Sequence, residues 1–162
     1  MKTSLRAPAE SDYEAIASWI TDAEACLRWA GPRLSFPFLA SDLPALLAIP
    51  GGNEFGYCLA DESGAPCGFG QHWVLQPDAV HIGRIIVAPA ARGQGLGRVL
   101  CQQLISTALA ETSATVVTLR VYRDNLAAAR LYSSLGFSEV ADQSSNDVLF
   151  MKMLANPSFR GE

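Results

Sequence analysis

The chain has 162 residues, enough for a single domain around one core. Apolar residues make up 49% and charged residues 17%, which excludes disorder of the whole chain. A net charge of -4 and a pI near 5.1 argue against a general nucleic-acid binder, which needs a basic face to displace counterions from phosphates.

No stretch approaches the roughly 18 uncharged apolar residues of a membrane span, so no membrane partner is expected. Residues Met1 to Glu10 hold no apolar run for a signal peptide, because Lys2, Arg6, Pro8 and Glu10 interrupt it. Cys26, Cys58, Cys67 and Cys101 form no CxxC pair, and His72 and His81 are the only histidines. No metal site is expected from that set. Four reduced cysteines in a cytoplasmic protein are the expectation.

In chain order, Leu5 to Ala7 reads as a short first strand. Ser11 is placed as the N-cap of a helix, with Glu14 completing a capping box and Ala15, Ile16, Trp19 and Ile20 on one face. Thr21 with Glu24 opens a second helix, which Gly31-Pro32 stops. Ser41 to Ile49 reads as a third, short helix. Phe55 to Ala60, Cys67 to Leu75 and Val80 to Val87 follow as an antiparallel meander with turns at Glu62 to Pro66 and Pro77-Asp78. Ile85-Ile86-Val87 breaks period-two alternation, which fits a strand buried on both faces or a bulge.

Pro89 to Gly95 then leads into a helix from about Leu96 to Ala110, with Leu96, Val99, Leu100, Leu104 and Ala108 as its apolar stripe. Cys101 lies one step off that stripe and reads as packing. Thr115 to Tyr122 is a buried strand by its β-branched content. A helix starting at Asp124 or Asn125 ends at Gly136, with Phe137 as the hydrophobic partner of the stop. Val140 and Val148 to Met153 form a last hairpin, and Asn156 to Glu162 reads as a frayed tail of one domain spanning 1–162. This order predicts a mixed-sheet α/β (α+β) domain.

The segment Arg92-Gly93-Gln94-Gly95-Leu96-Gly97-Arg98 sits between a buried strand and a helix start. A helix N-terminus offers unpaired amides and the positive end of its dipole, which suits a phosphate. Glycines let an anion approach the backbone, and Arg92 and Arg98 add positive charge. The loop lacks the lysine of a P-loop. It also fails the dinucleotide fingerprint, whose third glycine position holds Arg98 and whose later acidic residue is missing from Thr112 to Arg123. A plain tight turn feeding a helix remains the alternative.

Arg92-x-x-Gly95-x-Gly97 after Ile85-Ile86-Val87-Ala88-Pro89 resembles the acetyl-CoA loop of the GNAT superfamily of N-acetyltransferases. Asn125-Leu-Ala-Ala-Ala-Arg-Leu-Tyr132 followed by Leu135-Gly136-Phe137 resembles a second block of that family. Together these cover roughly Val80 to Val140. The resemblance implies a mixed, mostly antiparallel central sheet with helices on both faces and a splayed cleft between the fourth and fifth strands. It implies acetyl-CoA as acyl donor and no metal. Ile85, Ile86 and Val87 would pair with the pantetheine arm, with an amide near Val87 polarising the thioester carbonyl. Amides of Gly93, Gln94, Gly95, Leu96, Gly97 and Arg98, beside Arg92, would hold the diphosphate, and Asn125 would hydrogen-bond the pantetheine.

Tyr132 follows Asn125 by seven residues, about two helical turns, so both can address one cleft. A phenol there can protonate the departing thiolate; otherwise Tyr132 is an amphipathic core residue. His81 falls where some family members place a catalytic glutamate and is the candidate base for the acceptor amine; a half-buried structural histidine, with water as base, is its alternative. His72 reads as packing or surface. Trp19, Trp29, Phe36 and Phe38 could line an acceptor pocket, or belong to the core. The activity implied is transfer of acetyl to a primary amine of a small molecule or peptide, by direct attack in a ternary complex. The rival is a catalytically silent acyl-CoA sensor. Dimers are common in the family, so the resemblance implies a homodimer as one assembly state.

Overall fold

The computed structural model describes residues 2–51 and 54–155, so the expected tail from Asn156 lies outside the described residues. Seven strands form one sheet: β1 (Ser4–Arg6), β2 (Glu54–Ala60), β3 (Pro66–Gln76), β4 (Ala79–Val87), β5 (Val116–Tyr122), β6 (Ser138–Glu139) and β7 (Val148–Leu154). Their spatial order is β1-β2-β3-β4-β5-β7-β6. β4 and β5 run parallel, while β1–β2, β5–β7 and β6–β7 are antiparallel. This is the mixed, mostly antiparallel sheet expected. The chain divides into two compact units, Met1–Gln71 with Arg84–Leu104 and His72–Gly83 with Ile105–Glu162.

In the first unit, β1 pairs with β2 from Ser4↔Ala60 to Arg6↔Cys58. Helix α1 (Glu10–Trp19) starts one residue before the expected cap. Asp12, not Ser11, does the capping: its carboxylate accepts from the Ala9 amide at 2.6 Å and pairs with the Arg6 guanidinium. That tertiary partner holds Asp12 below the usual carboxylate range and sets the start of the helix. Helix α2 (Ala23–Ala30) is capped by Asp22 rather than Thr21; the Asp22 carboxylate accepts from the Ala25 amide at 2.7 Å. The helix stops at Gly31, as the Gly-Pro pair predicts. The expected third helix is a 3-10 turn, Ala40–Asp42, running into the short α3 (Leu43–Leu46). Ile16, Cys26, Leu43 and Phe69 make the buried centre of this unit, with Trp19, Trp29, Phe36 and Phe38 packed around it partly buried.

The second unit holds the ladder of β4 with β5, Ala79↔Val116 to His81↔Thr118, and the full pairing of β5 with β7. By alternation, Val117, Leu119, Met151 and Met153 fall on one face and are all buried, while Thr118, Arg120, Phe150 and Lys152 fall on the other, where Thr118 and Phe150 are buried and Arg120 and Lys152 exposed. Helix α4 (Leu96–Glu111), which belongs to the first unit as far as Leu104 and to the second from Ile105, carries the expected stripe, with Leu100, Leu104 and Ala108 fully buried and Val99 half-buried. Cys101 is also fully buried, and all four cysteines are buried thiols. Helix α5 (Leu126–Ser134) is capped by Asn125. Among the described residues, no helix is long and apolar enough to cross a membrane.

Candidate active site

In the first unit, the last part of β4 carries a left-handed step. Arg84 has φ of 52°, and beyond it Ile86 is buried while Ile85 and Val87 are half-buried. The β4–β5 ladder of Ala79 to His81 stops short of these residues. The chain then turns through Pro89–Ala91, anchored by the Ala88 amide donating to the Cys67 carbonyl at 2.9 Å. Arg92 Nε donates to the Val87 carbonyl at 3.1 Å, which ties the loop back to the strand.

Gly93 and Gly95 have φ of 79° and 78°, a conformation that L side chains rarely adopt. A Cβ at either position would meet nothing within 4 Å, so open space lies over both. Buried Leu96 anchors the first turn of α4, and the Val99 amide makes a helical bond to Gly95 at 3.4 Å. The amides of Leu96, Gly97 and Arg98 precede any helical acceptor. Donor amides, the positive end of a sixteen-residue helix, exposed Arg92 and Arg98, and room above two glycines suit a diphosphate. The first unit thus gathers Ile85, Ile86, Val87 and Arg92 to Arg98 on one continuous stretch.

The second unit holds the other candidates, His81 on β4, Asn125 at the start of α5 and Tyr132 within it. His81, the candidate base, is buried, more deeply than the half-buried structural histidine that was its alternative. Its Nδ1 lies 2.8 Å from Thr118 Oγ1, and its ring sits 4.9 Å from Trp73 and 6.1 Å from Phe150. Gly83 permits this, because a Cβ there would come within 2.8 Å of the Trp73 ring. Burial, reinforced by the Arg120 charge, pushes His81 down to about 3. It is therefore neutral near pH 7 and a weak proton acceptor. His72 is packing, fully buried, with Nε2 at 3.4 Å from Glu111 Oε2.

Tyr132 is buried on α5 and lies edge-on to Phe137 at 6.0 Å. Asn125 is exposed at the start of the same helix, its Oδ1 accepting from the Ala128 amide at 3.3 Å. That bond uses the carbonyl oxygen, and the Asn125 amide hydrogens keep the chemistry to donate to a ligand. Among the described residues, no group of three or more His, Cys, Asp or Glu is placed to hold a metal ion. Sequence reasoning missed Arg84. Its only trace was the broken alternation just after it.

Three comparisons bear on this arrangement. The chain is 41% identical over 105 residues to a mycothiol acetyltransferase of Thermomonospora curvata, a match covering 62% of this chain and 33% of that protein. The matched segment thus spans about a third of the length of that curated relative. The fold is similar to that of the spermidine N-acetyltransferase of Vibrio cholerae, solved with CoA and spermine. There the TM-score is 0.78 at 20% identity, over 94% of this chain and 95% of that one. It is also similar to AAC(6')-Ib in complex with ribostamycin and coenzyme A, with TM-score 0.76 at 20% identity over 99% and 97% of the two chains. The profile of the Acetyltransferase (GNAT) family matches residues 23–137, the stretch holding both the glycine loop and the Asn125–Tyr132 helix. With the larger part of its length inside that match, the chain belongs to the GNAT acetyltransferase family.

Proposed function

We propose that this protein transfers acetyl from acetyl-CoA to a primary amine of a small-molecule or peptide acceptor, by direct attack in a ternary complex. The observation that carries this is the glycine loop, whose left-handed Gly93 and Gly95 leave open space before the first amides of α4. Amides from Gly93 to Arg98 would hold the diphosphate, with Arg92 and Arg98 adding charge. Ile85, Ile86 and Val87 lie on β4 past its Ala79–His81 pairing with β5, and their backbone groups would receive the pantetheine arm. Asn125 would donate to that arm.

The acceptor nitrogen forms a bond to the thioester carbon as the carbonyl oxygen gains charge. The Val87 amide would stabilise that charge. The C–S bond then breaks, and Tyr132 would donate its phenolic proton to the sulfur, recovering one from solvent. Of the two candidates for the acceptor's own proton, His81 and water, a histidine held at about 3 favours water.

Relatives and neighbours support the chemistry by analogy: the names of the mycothiol and spermidine enzymes specify acetyl transfer, and two neighbours were solved with coenzyme A together with spermine or ribostamycin. The test is incubation with acetyl-CoA and a panel of polyamines, aminoglycosides, amino compounds and peptides, following free CoA thiol. Acceptor-dependent thiol release is expected for at least one amine. Saturable CoA binding with no such release would favour the silent sensor instead.

A further inference from the structure

Among the described residues, Arg84 is the single non-glycine residue with positive φ. Such a conformation persists in an L-residue only where its surroundings over-determine it. The surroundings do so here. Trp29 Nε1 donates to the Arg84 carbonyl at 2.8 Å. Arg84 Nη1 donates to the Leu47 carbonyl at 2.6 Å and to Gln71 Oε1 at 3.0 Å. Gln71 Nε2 donates to the same Leu47 carbonyl at 3.1 Å, which closes a ring of bonds. Gln71 is 3% exposed, and the Leu47 carbonyl sits at the end of α3. Burial and nearby Arg33 pull the Arg84 guanidinium below its ordinary range, with Glu54 opposing.

We propose that Arg84, Gln71 and Trp29 form a clamp that holds the left-handed step of β4, and so fixes the direction of the Ile85–Val87 peptides. They are positioning residues for acyl transfer. The inference rests on the proposed function in one respect, that Val87 is where the carbonyl is polarised. The physical link is short. A residue with positive φ rotates every peptide plane after it, and Val87 follows by three residues. The indole fixes the carbonyl of the step while Nη1 of the guanidinium fixes its side chain against the end of α3 and β3. Glycine would adopt the step without help. Arginine brings its own restraint, which also ties α2, through Trp29, and the end of α3, at Leu47, to this strand.

The experiment compares Arg84→Ala, Arg84→Gly and Trp29→Phe with the unaltered protein. It measures kcat and KM on an amine found by the panel, CoA affinity by calorimetry, and the backbone amide resonances of Ile85, Ile86 and Val87. Arg84→Ala is expected to lower kcat by about tenfold or more, with KM for acetyl-CoA and CoA affinity within about threefold. The amides of 85–87 should shift. Arg84→Gly should return kcat to within about threefold of the unaltered protein and return those amides, because glycine needs no clamp. Trp29→Phe keeps the ring, loses one donor, and should show the Arg84→Ala pattern in weaker form. Unchanged kcat and amides in Arg84→Ala would overturn the proposal, as would an Arg84→Gly as slow as Arg84→Ala. If the protein binds no CoA, the function fails, and the amide resonances still judge the clamp by the same criterion.

Discussion

His81 makes a prediction whose size follows from its surroundings. In the unfolded chain it titrates at 6.5, whereas in the fold burial and Arg120 push it down to about 3. Below pH 6.5 the unfolded chain binds a proton that the native protein refuses, so stability falls as pH drops, until the native histidine also protonates near 3. Each pH unit inside that window is worth about 1.4 kcal/mol. Between pH 7 and pH 5 the loss from this one group is about 2 kcal/mol. The perturbation is His81→Gln, with His81→Phe as a second neutral replacement. Urea unfolding at pH 7 and pH 5 gives the difference in stability, and other titrating groups cancel when variant and parent are compared. The parent should lose about 2 kcal/mol more than either variant over that interval. The parent's His81 ring resonances should also stay flat from pH 8 to about 5. Parallel pH dependence in parent and variants would refute the argument, as would a ring that titrates near 6.5. A flat His81 further predicts that His81→Gln keeps the shape of the pH–rate profile near neutrality, and loss of an ionisation there would return it to the role of base.

Tyr132→Phe should slow turnover by about tenfold or more while CoA affinity holds, because the ring still packs on Phe137 and only the proton donor is gone; equal turnover would remove the acid role. Gly95→Ala, at φ of 78° with open space around it, should cost about 1 kcal/mol in urea unfolding. By re-aiming the loop amides, the same change should weaken CoA binding by about tenfold in calorimetry, and undiminished affinity would show that these amides do not hold the diphosphate. Asp22→Ala removes the cap of α2 and should lower stability by about 1 kcal/mol, measured by thermal or urea unfolding; Thr21→Ala should have a much smaller effect.

The elements of this fold are visible in the chain because each rests on local chemistry. Alternation marks β3, β-branched content marks β5, the stripe through Leu96, Leu100 and Leu104 marks α4, and Gly31 and Gly136 mark helix ends. The glycine loop is legible for the same reason: φ near 80° at Gly93 and Gly95 is a demand made by single residues. The properties that belong to neighbours distant in sequence were not legible. Asp12 caps α1 because Arg6 reaches it from β1, a partner that no capping rule names. His81 looked like a base from its type and place on the strand, and it is a poor one because Trp73, Phe150 and Thr118 surround it. Arg84 adopts a glycine's conformation because Trp29, Leu47 and Gln71 converge on it from three separate segments. Backbone preference is short-ranged and can be read one residue at a time, whereas desolvation and hydrogen-bond partners depend on which segments meet, and tertiary structure alone decides that.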